Sequence, residues 1–267
     1  MPLYFFLLLF VSNNLLAQEL PPIQKFTSLD YGGENQNWMI SQGIDKFIYV
    51  GNNEGLLEYN GAKWKMYQSP NNTIIRAVNA VEKRIYTGCY MEFGFWERDV
   101  FGKLKYKSLV SKFKESMIED EQIWNIITLD EWMLFQSLNR IYFYNTVSGV
   151  TKIIHSKNVI SKVFNIEKVI YYHVNNEGIF TIEAGKSRLL VDSSLFGNDK
   201  VVGMFQIPDG LLILTRGLGF YKLIDGKLSV WNSAASEVLK NINVFNSIQL
   251  KDKSFVIGTI KNGVIYL

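Results

Sequence analysis

The sequence FIYVGNNEGLLEY, residues 47–59, joins two apolar segments through the short polar turn NNEG. The same tetrapeptide returns in VIYYHVNNEGIFTI, residues 169–182, again between segments rich in β-branched and aromatic residues. Segments of this kind, joined by a turn that contains Asn and Gly, predict a β-hairpin. The return of an identical turn predicts a repeated structural unit, with weaker copies elsewhere in the chain.

Four weaker copies of the hairpin are present. They are RIYTGCYMEFGFW (84–96), WMLFQSLNRIYFY (132–144), LLILTRGLGFYKL (211–223) and SFVIGTIKNGVIYL (254–267). The copies recur about every 40 residues, a period typical of propeller blades. Each unit also has an apolar segment before the hairpin, and most have a fourth segment after it, which follows a turn that contains Gly.

Four short strands at this period predict an all-β fold, a β-propeller of about six four-stranded blades. The predicted blades span roughly residues 35–70, 71–110, 120–155, 158–193, 199–233 and 241–267, within a propeller domain of residues 19–267. The sixth unit stops in its third strand, so the last blade is incomplete and the ring is either open or closed. PIQKFTSL, residues 22–29, could supply the missing strand.

The composition argues against several classes of function. The chain has 267 residues, of which 48% are hydrophobic and 20% charged, and this composition predicts a packed domain rather than a disordered chain. A net charge of +3, evenly spread, does not indicate a nucleic-acid-binding surface. One cysteine and two histidines do not form a metal-binding or nucleophilic motif, and we find no glycine-rich phosphate loop. The sequence therefore predicts no catalytic residue, no metal site and no cofactor.

The first 18 residues read as a signal peptide. The apolar run Leu3–Val11 is too short to span a bilayer, and the small residue Ala17 lies where cleavage would occur. No Lys or Arg precedes the run, so a buried first strand and an uncleaved anchor remain alternatives. We expect a periplasmic protein.

The repeats resemble those of the two-component-regulator propeller family. The likeness is carried by NQNWMISQ, NNEGLLEYNG, IYTGCYMEFGFW and LFQSLNRIY, and it extends from Leu20 to Leu267. The resemblance implies the periplasmic sensor region of a bacterial membrane-spanning regulator. Such a region is followed by a three-tyrosine β-sandwich domain, a transmembrane helix, and a LuxR-type helix-turn-helix or histidine kinase. None of these follows Leu267, so we expect a truncated form, attached to a membrane only through a missing downstream helix. The full-length protein could form a homodimer.

One face of the predicted propeller gathers polar residues. In an antiparallel meander, the start of the first strand and the turn between the second and third strands lie on the same face. Amides, carboxylates, arginines and aromatics occupy these places, and together they suit a carbohydrate or another small polar ligand, such as an oligosaccharide. The predicted ligand-binding residues are Gln36, Asn37, Asn53, Glu54, Arg76, Tyr90, Glu92, Arg140, Asn176, Glu177 and Arg216.

Each of these assignments has a structural alternative. Asn in a tight turn often serves backbone geometry alone. Trp38 and Trp124 are expected to pack between blades rather than stack on a ligand. A non-catalytic ligand sensor is the favoured function, mainly because of the family resemblance. A protein-interaction scaffold is the alternative, and a propeller glycosidase or lyase is less favoured because no convincing pair of catalytic groups is visible.

Overall fold

A computed structural model of the chain describes residues 23–183, 185–232 and 235–267. The predicted signal peptide lies outside these residues. Six antiparallel sheets follow one another along the chain, and each is a simple meander of neighbouring strands. The predicted all-β propeller is therefore confirmed.

The first three blades contain twelve strands. Blade 1 holds β1 (Asn37–Gln42), β2 (Ile48–Asn52), β3 (Gly55–Tyr59) and β4 (Trp64–Gln68). Blade 2 holds β5 (Ala77–Val81), β6 (Arg84–Cys89), β7 (Glu92–Arg98) and β8 (Leu104–Ser108). Blade 3 holds β9 (Asn125–Leu129), β10 (Trp132–Gln136), β11 (Arg140–Asn145) and β12 (Thr151–His155).

The last three blades contain eleven strands in the described part of the chain. Blade 4 holds β13 (Ile160–Ile166), β14 (Val169–Val174), β15 (Gly178–Glu183) and β16 (Lys186–Asp192). Blade 5 holds β17 (Val201–Ile207), β18 (Gly210–Thr215), β19 (Phe220–Ile224) and β20 (Lys227–Val230). Blade 6 holds β21 (Val244–Gln249), β22 (Phe255–Thr259) and β23 (Val264–Tyr266).

Helical segments are short. They are α1 (Ser28–Tyr31), a 3-10 turn at Val110–Lys112, and α2 (Ser236–Leu239). The segment around α1 packs on blade 1, where Phe26 contacts the rings of Tyr59 and Trp64. The idea that residues 22–29 supply the fourth strand of blade 6 is therefore wrong for residues 23–29, because the segment buries its aromatic side chain against blade 1 instead.

A separate hydrophobic cluster lies between each pair of successive blades. Tyr49 and Leu56 of blade 1, for example, pack with Val78 and Ile85 of blade 2. Blades 2 to 5 therefore bury both faces on their neighbours, as the propeller arrangement requires. The first strand of every blade is innermost, and consecutive first strands contact one another from β1 through β21.

The glycine of NNEG is required by close packing within the blade. Gly55 has φ of 151° and Gly178 has φ of 133°, in a region that favours glycine. A Cβ on Gly55 would collide with the carbonyl oxygen of Tyr67, and one on Gly178 with that of Val191. In both blades the absence of a side chain on this glycine lets the third strand lie directly against the fourth.

Candidate functional site

A cavity of about 320 Å³ lies on the predicted polar face, where the first strands begin. Each of the six blades contributes one residue at an equivalent strand position to its lining. We call these residues the inner ring: Trp38, Arg76, Trp124, Ser161, Val202 and Phe245. Their convergence follows from the repeat, because equivalent positions of a radial array surround its axis.

β-bulges turn four of these residues into the cavity. Each bulge inserts one residue into the start of a first strand, and the inserted residue has no partner on the second strand. A bulge bends the strand and redirects the local side chains. The inserted residues are Trp38, Ser161, Val202 and Phe245.

Arg76 fills one side of the cavity and joins three blades. Its guanidinium lies 4.3 Å from the ring centre of Trp38 and 4.6 Å from that of Trp124. The Nε atom donates a hydrogen bond to Gln122, and Trp38 in turn donates through Nε1 to Asn53 at 2.8 Å. Burial lowers the pKa of Arg76 from its ordinary value. The predicted packing of the two tryptophans between blades is present, but both rings also line the cavity.

Lys162 forms the opposite side. Its ammonium donates to the carbonyl oxygen of Val202 at 3.2 Å and to Oδ1 of Asn246 at 2.6 Å. These bonds link blade 4 to blades 5 and 6. The residue keeps part of its surface open, but its ammonium lies deep between inner strands, and this desolvation lowers the pKa of Lys162 to about 8.

His173 lies behind the cavity wall and does not line it. The imidazole is fully buried, and its Nδ1 lies 2.7 Å from the hydroxyl oxygen of Ser161. Desolvation lowers the pKa of His173 to about 4, so the ring is neutral near pH 7. The structure thus places this histidine in the core, beside Phe196.

Two of the predicted ligand-binding residues, Arg76 and Arg216, line the cavity. In blade 1, Asn53 accepts from Trp38, whereas Asn37 accepts from the buried Asn52 at 2.8 Å. Gln36 and Glu54 are exposed on the same rim. None of these four side chains lines the cavity.

The remaining predicted residues are engaged by their own blades or by adjoining loops. Tyr90 donates to Asp120 at 2.6 Å, and Glu92 accepts from Tyr106 and Ser108 at 3.1 and 2.8 Å. Arg140 donates to the carbonyl oxygen of Ser116 at 2.8 Å and to Tyr142 at 3.1 Å. Asn176 adopts φ of 64° in its turn, and Glu177 accepts from Asn158 at 2.6 Å.

Several cavity residues were not among the predicted site residues. Lys162, Lys200 and Asn246 line the cavity together with Ser161 and Phe245. Ser161 and Phe245 could have been found by aligning the first strands of all six units, because this alignment places one inner-ring residue in each unit. Strict alternation of side chains along a strand would predict that some of these side chains face away from the cavity, because it does not allow for the extra residue of a β-bulge.

The propeller fold is shared by solved structures of extracellular domains of bacterial two component systems. The extracellular domain of the hybrid two component system BT4673 from B. thetaiotaomicron has a TM-score of 0.64 and 17% identity, over 86% of this chain and 31% of that one. The extracellular domain of BT3049 from the same organism has a TM-score of 0.65 and 16% identity, over 91% of this chain and 34% of that one. The chain has the fold of these extracellular domains. It spans about a third of their length.

An enzyme shares the fold equally well. Virginiamycin B lyase from Staphylococcus aureus has a TM-score of 0.65 and 13% identity, over 86% of this chain and 83% of that one. No protein-family model and no curated protein matches the chain. Because sensors and a lyase share this architecture, the fold does not fix the activity, and the site must be argued from its own residues.

Residues 23–183, 185–232 and 235–267 contain no helix long and apolar enough to cross a membrane. The same residues contain no cluster of three or more His, Cys, Asp or Glu side chains that could hold a metal ion.

Proposed function

We propose that this chain is the ligand-sensing propeller of an extracytoplasmic sensor region in a bacterial signal-transduction regulator. Its ligand would bind in the cavity bounded by the inner ring. The observation that carries the proposal is the contribution of one cavity-lining residue by every blade. A ligand there would contact all six blades at once, so binding would be coupled to the packing of the whole propeller.

The fold comparisons support this proposal, because two of the similar structures are extracellular domains of two component systems. The polar side chains support it as well. Asn246, Lys200 and Arg216 place polar groups at the cavity, while Leu138 and Phe245 supply apolar surface at its edge. Asn125 and Gln136 also line it, but their amides already form hydrogen bonds with the backbone of blade 4. Convergent polar groups in a partly apolar pocket are typical of small-molecule sites. A carbohydrate fits this description, as does another small polar molecule.

Binding is favoured over catalysis by the chemistry of the lining. A glycosidase needs two carboxyl groups across the substrate, yet the cavity lining in the described part of the chain contains neither Asp nor Glu. Cys89 is buried, and burial raises the pKa of its thiol to about 12, so it is a poor nucleophile. His173 is neutral and enclosed.

A scaffold function has one observation in its favour. A wide depression of about 1160 Å³ lies on the opposite face, over blades 1 to 3, and carries both acidic and basic side chains. A protein partner could use this surface. The mixed charge of the depression indicates no particular partner, so sensing through the cavity remains the favoured function.

A cavity-filling substitution tests the proposed function. Leu138 lies at the cavity edge and is 42% exposed, whereas Leu218 occupies the corresponding turn of blade 5, is 45% exposed and does not line the cavity. We expect compounds that raise the melting temperature in a screen of oligosaccharides and small organic acids to lose their effect in Leu138→Trp. The matched variant Leu218→Trp should respond like the unmodified protein. Stabilisation that survives Leu138→Trp would contradict a ligand site in this cavity.

A further inference from the structure

The charge of the cavity is strongly one-sided. Among the described residues, no carboxylate lines the cavity, whereas four cationic side chains do. These are Arg76, Lys162, Lys200 and Arg216. The whole chain is nearly balanced, with 28 basic and 25 acidic residues. The positive charge is thus concentrated where the blades converge, and it does not reflect the average surface.

The carboxylate of Asp199, which precedes Lys200 in the chain, already forms hydrogen bonds with the backbone. Oδ2 of Asp199 accepts from the N–H groups of Gly217 and Leu218 at 2.8 and 3.0 Å. Its other oxygen accepts from the backbone N–H of Lys200. Asp199 therefore holds the turn beside Arg216 in place and forms no ion pair with Arg216 or Lys200 in the described structure.

Two of the four cations have no partner for their charged groups among the described residues. Neither the Lys200 ammonium nor the Arg216 guanidinium makes a hydrogen bond or ion pair there, and Nε of Arg216 is buried without an acceptor. Arg76 and Lys162 have partners, but these are neutral: aromatic rings, an amide and a carbonyl. The cavity therefore offers several cationic donors and no internal counter-charge.

Unpaired cations in a partly enclosed cavity are costly for the folded protein and favourable for an anionic ligand. A guanidinium and an ammonium together offer charge-assisted hydrogen bonds to a carboxylate, sulfate or phosphate group, and such bonds are about twice as strong as neutral ones. An amide-lined site for a neutral sugar would need no such concentration of charge.

We propose that the cavity takes a small anionic ligand, whose carboxylate, sulfate or phosphate group binds Arg216 and Lys200. This proposal rests on the proposed sensing function, and it names the chemical class of the ligand at that same site. Phe245, which is 46% exposed, and Leu138 give the uncharged part of such a ligand an apolar surface on either side.

The experiment compares matched charged and neutral probes. D-glucuronate, inorganic sulfate and inorganic phosphate are titrated against the protein at low ionic strength, with D-glucose as the neutral counterpart of glucuronate. We expect at least one anion to bind about tenfold or more tightly than glucose and to weaken as NaCl is added. The three anions separate carboxylate from sulfate and phosphate chemistry.

Charge-removing variants assign the effect to these residues. The double variant Arg216→Gln/Lys200→Gln should lose the preference for the anion, and Lys200→Gln alone should reduce it. The control Lys186→Gln/Lys227→Gln removes the same charge from exposed residues outside the cavity and should keep the preference. Circular dichroism checks that each variant is folded.

The outcomes separate this proposal from the proposed function. Equal binding of anion and glucose, no binding of any anion, or anion binding that survives the double variant would overturn the anionic assignment. A neutral compound that stabilises the protein and is blocked by Leu138→Trp would leave the sensing site standing. Anion binding that is lost in the double variant but unaffected by Leu138→Trp would support anion recognition and contradict the enclosed cavity as the ligand site.

Discussion

Asn52 is fully buried, and its side-chain amide lies within hydrogen-bond distance of five polar atoms. It ties the segment from Glu34 to Asn37 onto blade 1. Asn175 is its counterpart in the second NNEG turn, but its Oδ1 is buried without a partner. The difference arises because Asn52 pairs with Gly55, whereas in blade 4 Val174 pairs with Gly178, so the same four residues close turns of different length.

The two NNEG asparagines should differ in their effect on stability. Asn52→Ala leaves the backbone N–H groups of Glu34 and Glu54 without their acceptor, and we expect it to lower the free energy of unfolding by about 2–4 kcal/mol. Asn175→Ala removes fewer bonds and should cost less than about 1 kcal/mol. Urea denaturation of both variants measures the difference. Equal losses would mean that the hydrogen bonds of Asn52 contribute little.

His173 should make stability fall in mild acid. Its pKa is about 4 in the folded protein and about 6.5 in an unfolded chain, so only the unfolded state takes up a proton between these values. The stability that depends on a neutral His173 is fully present above pH 6.5 and is lost as the pH falls to 4. Between pH 7 and pH 4.5 we expect the unmodified protein to lose about 2–3 kcal/mol more stability than His173→Gln. If the free energies of unfolding of the two proteins change equally with pH, the His173 ring is not held neutral in the folded protein.

At the scale of elements, an ion pair joins blade 1 to blade 2. Arg98 at the end of β7 donates to Glu58 of β3 at 2.7 Å, and the Glu58 side chain is only 8% exposed. Arg98→Met should destabilise the protein by about 3 kcal/mol, because it leaves a buried carboxylate unpaired. The double variant Arg98→Met/Glu58→Met should recover most of that loss.

An exposed pair provides the matched control for this cycle. Arg188 and Glu183 lie 2.6 Å apart within blade 4, and more than half of each side chain is exposed. Arg188→Met should cause no measurable loss of stability, since solvent screens such pairs. If Arg98→Met is equally harmless, the contact between β3 and β7 does not depend on the ion pair.

The elements differ in how far the sequence predicts them. Period and turn composition were enough to predict the blades, because each blade uses the same apolar strands and Gly-containing turns. Arg76 and Arg216 were predicted to be site residues, and they do line the cavity. Lys162 and Ser161 were missed because a β-bulge, which has no fixed sequence signature, changes the direction of neighbouring side chains. The two NNEG turns likewise have the same sequence but different lengths, and the sequence alone does not predict this difference.

At the scale of the whole molecule, the described blades are unequal in packing. Between blades 2 and 3, Phe93 lies 4.6 Å from Phe135 and 5.0 Å from Tyr142 between ring centres, inside the fully buried aromatic cluster. In blade 6 the sheet has three strands within the described residues, and its third strand exposes Val264 by 70% and Tyr266 by 59%. A repeat that packs on one neighbour lacks half the interface energy of an internal repeat.

Local stability should therefore fall from blades 2 and 3 toward blade 6. Amides of β6, β7 and β10 open only when the packed aromatic cluster opens, whereas those of β22 and β23 can exchange through fraying of a terminal sheet. Hydrogen exchange followed by mass spectrometry should show deuterium uptake in residues 255–266 at least about tenfold faster than in 84–98, since a local opening that costs 1.4 kcal/mol less is ten times more populated. Uniform protection across all six blades would mean that the propeller opens as one cooperative unit, and that blade 6 gains from its single interface as much as blade 2 gains from two.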